Sequence, residues 1–154
     1  MPYHVEFSID ISAIYIAAAG LFLVFLALDV VRARWKYQGG FGEGSNEKGG
    51  EKGIEIGKAR GIENNEDPLS RRRRVHANAA EYFSVALLLL VAVENIVAID
   101  WVVHVLGILL LASRLIHAAG LRGMAGESLP RTLGTVGTIT MVSVSAILVL
   151  VNSF

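Results

Sequence analysis

The chain has 154 residues, of which 53% are hydrophobic and 18% are charged, and its formal net charge is zero. So high an apolar content in so short a chain is unlike an ordinary soluble domain and indicates membrane spans. Cysteine is absent. This absence excludes disulfide bonds, a cysteine nucleophile and thiolate metal sites.

Four apolar segments lie at about 11–31, 75–99, 101–121 and 132–151. Each is close to the roughly 20 residues that a helix needs to cross a bilayer. None alternates apolar and polar residues as the strands of a membrane β-barrel do. The first has no preceding basic residue and no A-x-A cleavage site, so we interpret it as a retained span and not a signal peptide. The sequence therefore predicts an all-α fold, an integral membrane four-helix bundle, as a single domain over residues 1–154.

The distribution of basic residues predicts how the spans are oriented. Eleven of the fourteen Lys and Arg residues fall between Arg32 and Arg74, whereas the N-terminus and the 94–101 turn carry only acids. By the positive-inside rule, the basic connections lie in the cytoplasm and both termini lie outside. The connection over about 38–70 is rich in Gly, Glu and Lys and poor in apolar residues. This composition predicts a flexible cytoplasmic loop.

The second span carries polar residues inside its apolar run. At 3.6 residues per turn, Arg74, Asn78 and Glu81 share one face of a helix, and Tyr82 lies at the edge of that face. A charged group inside a membrane helix is costly unless it is paired, so we expect this face to contact other helices and the second span to be central. Two interpretations remain open. The polar groups hold helices together, or they bind a small zwitterion with several carboxylates, since Arg pairs with carboxylates and Glu accepts hydrogen bonds from an ammonium.

The third span repeats this pattern, because Arg114, His117 and Leu121 share one face. The four histidines of the chain are scattered, and neither H-x-x-x-H nor H-x-x-E-H occurs. The sequence therefore predicts no metal site.

The pattern R-x-H-x-N-x-x-E-Y, from Arg74 to Tyr82, resembles the signature of the membrane-associated proteins in eicosanoid and glutathione metabolism, the MAPEG family. The segments "GILLLASRLIHAAGL" at 107–121 and "DVVRAR" at 29–34 are also similar to that family. The resemblance extends over all four spans and is greatest to the small bacterial members. It implies a bacterial inner-membrane protein.

The resemblance implies a homotrimer in which glutathione, as co-substrate, lies between adjacent subunits near the cytoplasmic side. Catalytic members add the glutathione thiol to lipophilic electrophiles or reduce peroxides. Membrane lipids and a lipophilic small molecule are then the further partners, and no nucleic acid is expected. By position in the family pattern, the glutathione-binding residues are Arg32, Arg74, Asn78, Glu81, Tyr82, Arg114 and His117.

Arg131, at the start of the fourth span, falls on the thiol-activating position of the family. A thiol with a pKa of about 8.5 is mostly protonated at neutral pH, and the thiolate is the nucleophile. Arg cannot act as a base at this pH, so it would favour the thiolate electrostatically. Pro130 fits the first turn of a helix that begins here, and Ser128 is the candidate N-cap.

Two departures from the family pattern concern activity more than fold. Leu121 stands where the eicosanoid-synthesising members often carry Tyr, and the connection before Arg131 is long. One alternative function is therefore a non-catalytic lipid- or ligand-binding scaffold of the same family. Another is a small multidrug transporter, although its membrane Glu belongs in the first span and Glu81 lies in the second.

Overall fold

The computed structural model of the chain describes residues 7–38, 68–123 and 128–154. These residues form four helices and no strand: α1 (Asp10–Gln38), α2 (Pro68–Ile96), α3 (Asp100–Gly123) and α4 (Leu129–Asn152). All four are long and apolar enough to cross a membrane. The predicted all-α four-helix membrane bundle is thus confirmed. The flexible loop predicted over about 38–70 lies almost wholly outside the described residues.

Two helices extend further than the apolar segments predicted. α1 continues to Gln38 instead of ending near residue 31, and α2 begins at Pro68 instead of near residue 75. Both extensions carry basic residues, which are good helix formers. Proline is also well tolerated at the first helical position, where its missing N–H is not needed. The apolar segments therefore indicate the membrane spans but not the full length of the helices. The four arginines at 71–74 are part of α2.

α2 and α3 form the centre of the bundle. Each contacts all three other helices, whereas α1 and α4 lie on opposite sides and do not contact each other in the described ranges. Buried apolar side chains from all four helices form one core, among them Leu26, Phe83, Leu90, Leu110 and Met141. The second span is central, as predicted, and the third shares that position.

A buried carboxylate from α2 holds the start of α1. Glu94 is 8% exposed and accepts hydrogen bonds from the backbone N–H groups of Ile11, at 2.9 Å, and Ser12, at 2.8 Å. The adjacent Asn95 accepts from the N–H of Ser8 at 3.0 Å and donates to its carbonyl oxygen at 2.8 Å. The first N–H groups of a helix lack partners within the helix and favour negative charge. Glu94 therefore acts as a cap for α1 supplied by another helix.

The start of α4 agrees with the sequence prediction in position but not in detail. The helix begins at Leu129, and Ser128 occupies the N-cap position with extended backbone angles (φ −127°, ψ 143°). Its side chain makes no capping hydrogen bond, so that part of the prediction is wrong. The start of α4 instead lies directly against α3, since a Cβ added at Gly120 would be 2.7 Å from the backbone nitrogen of Arg131.

We predict that Glu94→Ala destabilises the protein by about 2 kcal/mol, because two helix N–H groups lose an anionic partner in a buried position. Thermal unfolding of the detergent-solubilised protein measures this change. Asp100→Ala is the matched control, because Asp100 also stands in a first helical turn but is exposed. Equal losses in the two variants would contradict the assigned role of Glu94.

Candidate functional site: a polar cleft between three helices

A polar cleft of about 340 Å³ opens between α2, α3 and α4, at the end of the bundle that carries the arginines and away from Glu94. Its lining residues are Arg74, Ala77, Asn78, Glu81, His117, Leu121, Arg131 and Thr135. Five of the eight predicted site residues are among them. The other three, Arg32, Tyr82 and Arg114, lie elsewhere.

Helix geometry explains this convergence. Positions 74, 78 and 81 lie one above another on α2 because residues three or four apart share a helix face. α3 runs antiparallel to α2, so its last turns, with His117 and Leu121, lie at the same end. α4 starts at this end, which places Arg131 in its first turn.

Arg114 lies behind the cleft and not in it. It is 1% exposed, its Nη1 donates to Asn78 Oδ1 at 3.0 Å, and its Nη2 donates to the carbonyl oxygen of Gly134 at 3.0 Å. The guanidinium carbon also stands 4.6 Å from the centre of the Tyr82 ring, within the range of a cation–π contact. A single side chain of α3 is thereby bonded to both α2 and α4.

His117 is oriented by the backbone of α4. Its Nδ1 lies 3.0 Å from the carbonyl oxygen of Arg131 and 3.1 Å from Thr135 Oγ1. The Thr135 hydroxyl donates to the same carbonyl at 3.0 Å. A carbonyl only accepts hydrogen bonds, so Nδ1 must carry the hydrogen. When the ring is neutral, its Nε2 atom is then an acceptor.

Glycine permits the close approach of α3 and α4 that these bonds require. A Cβ added at Gly134 would lie 2.5 Å from the carbonyl oxygen of Ser113 and 2.7 Å from the backbone nitrogen of His117. Both atoms belong to the backbone of α3, so neither can move away unless the helix shifts. Gly134 therefore sets the spacing at which Arg114 reaches its carbonyl.

Tyr82 lines a second cleft, which adjoins the first. This cleft, also about 340 Å³, is lined by Glu81, Tyr82, Val85, Ile139, Val142 and Ser143. We call it the apolar cleft, because three of its six residues are aliphatic. Glu81 lines both clefts and stands at their boundary.

Arg32 is exposed on α1 and lines neither of these two clefts. Because α1 and α4 do not contact each other, the fold of one chain does not bring Arg32 to Arg131. Sequence reasoning also missed Thr135, although it lies four residues after Arg131 and so shares its helix face.

The polar cleft combines groups of opposite character. Arg74 and Arg131 are cations that pair with carboxylates, Glu81 is an acceptor suited to an ammonium, and His117 offers an imidazole nitrogen. The arrangement suits a polar ligand that carries both acidic and amino groups. The apolar cleft beside it suits the hydrocarbon part of another molecule.

The fold and the site together define a class: four-helix membrane proteins with a cleft of Arg, Asn, Glu and His at the basic end of the bundle. The profile of the MAPEG family matches residues 12–151. The chain is also 33% identical over 110 residues to Inner membrane protein YecN from two strains of Escherichia coli, across 71% of this chain and 69% of that protein. No solved structure gives a significant match. The chain belongs to the MAPEG family, as the resemblance in its sequence indicated.

We predict that Gly134→Ala destabilises the bundle by about 1–3 kcal/mol, the usual cost of overpacking a tight contact, and pushes α3 and α4 apart. Gly20→Ala is the matched control, because nothing lies within 4 Å of a Cβ added there. Its thermal midpoint should be unchanged or slightly higher, since Ala favours helix over Gly. Similar losses in both variants would mean that the α3–α4 contact is looser than described.

Proposed function

We propose that the protein binds glutathione in the polar cleft and uses it as a co-substrate, as a glutathione transferase or peroxidase acting on lipophilic molecules. The observation that carries the proposal is the convergence of Arg74, Asn78, Glu81, His117 and Arg131, from three helices, on one cleft. Membership of the MAPEG family supports it.

Glutathione has two carboxylates, one ammonium and one thiol, and the cleft offers a counterpart for each charged group. Arg74 and the amide of Asn78 bind carboxylate oxygens, and Glu81 binds the ammonium. The thiol then lies near Arg131, in the first turn of α4, where the helix dipole adds positive potential to that of the guanidinium. Each unit by which this environment lowers the thiol pKa corresponds to about 1.4 kcal/mol.

The reaction follows from the resulting thiolate. The thiol proton leaves to water, and the sulfur attacks an electrophilic carbon of the second substrate to form an S–C bond. In a substitution the leaving group departs with the electron pair of the broken bond, and in an addition that pair stays on the product and takes up a proton. With a peroxide the sulfur attacks oxygen, the O–O bond breaks and releases an alcohol, and a second glutathione reduces the sulfenic acid to give glutathione disulfide and water. No protein nucleophile is needed, which agrees with a chain that has no cysteine. The apolar cleft is the proposed place of the second substrate, because it shares Glu81 with the polar cleft.

The outward position of Glu81 supports assembly into a homotrimer. Glu81 is exposed on the single chain, yet it lies six residues, or about 9 Å of helix, beyond Val75, where the apolar run of α2 begins. A carboxylate that faces lipid at this depth is costly. A second copy that covers this face would remove the cost. Arg32, which the family pattern assigns to the site, would then have to come from that copy, because α1 and α4 of one chain do not contact each other.

The proposed location is the inner membrane, where the relative YecN is named. The polar cleft then faces the cytoplasm, because the basic residues of α1 and α2 lie at its end of the bundle. This side is also the one with abundant glutathione.

A non-catalytic ligand-binding scaffold is the second candidate function. The observation that favours it is Leu121, which lies in the wall of the polar cleft, where a tyrosine hydroxyl would contact the ligand in the eicosanoid-synthesising members. A scaffold would bind glutathione or a lipid without forming the thiolate, so the absorbance of bound thiolate separates the two functions.

For Glu81→Gln, we predict that the dissociation constant of glutathione rises roughly tenfold or more, because a hydrogen bond between two charged groups becomes one with a single charge. Isothermal titration of the purified protein measures it, with Asp100→Asn as the control at the far end of the bundle. An unchanged constant in the Gln variant would assign Glu81 to helix packing alone.

For Arg131→Leu, we predict that thiolate absorbance of bound glutathione and turnover of an aryl halide fall together, by roughly 100-fold or more in rate, while the variant still folds. Arg73→Leu removes an arginine that is also exposed but lines neither cleft, so it should retain both signals. Turnover equal to the parent's in Arg131→Leu would move the activating role to another arginine, with Arg32 the next to test.

A further inference from the structure

Arg114 does not touch the open volume of either cleft, although the family pattern implies that it binds glutathione. It is 1% exposed and is absent from the lining of both. A ligand in the polar cleft would reach its guanidinium only if the side chain left Asn78, Gly134 and the Tyr82 ring. A buried cation inside a membrane helix is nevertheless costly in free energy, so we expect Arg114 to have a function.

The bond between Arg114 and Asn78 fixes which way the Asn78 amide faces. A guanidinium has only hydrogen-bond donors, so the amide atom 3.0 Å from Nη1 must be the oxygen and not the nitrogen. The NH₂ group of the amide then points away from Arg114. Because Asn78 also lines the polar cleft, a ligand there meets a donor at this point and not an acceptor.

The second hydrogen bond of Arg114 links the Asn78 amide, on α2, to α4 on the other side of the cleft. Nη2 donates to the carbonyl of Gly134, three residues after Arg131 on α4. The same guanidinium thus sets both the orientation of Asn78 and the separation of α2 from the first turns of α4. Lys could not do this, because its single ammonium lacks the planar fork with which Arg reaches two acceptors in fixed directions.

We infer that Arg114 is a positioning residue, which holds the Asn78 amide so that its NH₂ group selects a ligand with a carboxylate or carbonyl oxygen at that point of the cleft. The inference rests on the proposed function for the identity of the ligand, glutathione. The orientation of Asn78 itself does not depend on that identity.

The first test is Asn78→Asp, which keeps an oxygen for Arg114 but replaces the donor in the cleft by a second acceptor. We expect the thermal midpoint to be retained and the dissociation constant of glutathione to rise at least about tenfold. The exposed Asn152→Asp is the control for the added charge. If Asn78 only held helices together, Asp would serve as well as Asn, and an unchanged constant would overturn the inference.

The second test is a double-mutant cycle of Arg114→Gln and Asn78→Ala, with glutathione affinity as the readout. If Arg114 acts through Asn78, Arg114→Gln weakens binding in the parent but has little further effect once Asn78 is Ala. Independent, additive losses would mean that Arg114 contacts the ligand directly, and would also overturn the inference.

If the proposed function is wrong, the orientation of Asn78 can still be tested. If the parent binds no glutathione, glutathione is not the ligand, and the same cycle is then measured by thermal unfolding. Arg114→Gln and Asn78→Ala should then be strongly non-additive in their midpoints, because either change breaks the same bond. Additive midpoints would overturn the orientation of Asn78 as well.

Discussion

The structure depends on how the buried guanidinium of Arg114 is accommodated. Inside a membrane, polar groups must be satisfied within the protein, because lipid supplies no hydrogen bonds. Arg114 meets this constraint in part, with a side-chain oxygen from α2, a backbone carbonyl from α4 and the face of the Tyr82 ring. Its buried Nε atom has no hydrogen-bond partner among the described residues. Three helices are therefore fixed relative to one another at the level of the polar cleft. As a consequence, the oxygen of the Asn78 amide faces Arg114 and its NH₂ group faces the cleft.

Small residues make this arrangement possible. Helices in lipid associate mainly through close packing and polar contacts, since lipid tails are as apolar as the side chains they would replace. The absence of a Cβ at Gly134 and Gly120 lets the backbones of α3 and α4 approach each other. Only at that separation do Arg114 and His117 reach the carbonyl oxygens of α4. The close contact between α3 and α4 therefore determines both the packing behind the cleft and the positions of the polar groups that line it.

Segment length and periodicity predicted the four helices and the shared face of Arg74, Asn78 and Glu81, because both properties are local. On α1 and α2 the helix runs several residues beyond the predicted span, because an apolar segment indicates the part of a helix that lies in the bilayer and not the whole helix. The burial of Arg114 was not predictable either, since a helical wheel groups it with His117 but does not show that His117 lines the cleft while Arg114 lies behind it. Glu94 illustrates the same limit: its sequence neighbours suggest a loop acid, and only the position of α1 makes it a buried cap.

The separation of α1 from α4 bears on how a site for the proposed reaction is completed. Because these helices do not meet, the face of α2 that carries Glu81 stays open on one chain. A reaction between glutathione and a lipophilic molecule needs a boundary between a polar volume and an apolar one, and the two clefts share Glu81 at such a boundary. A neighbouring copy that covers this face would exclude lipid from the carboxylate and leave the apolar cleft as the approach from the bilayer. The charge that makes a single chain unfavourable in the membrane would then become part of the ligand site of the assembly.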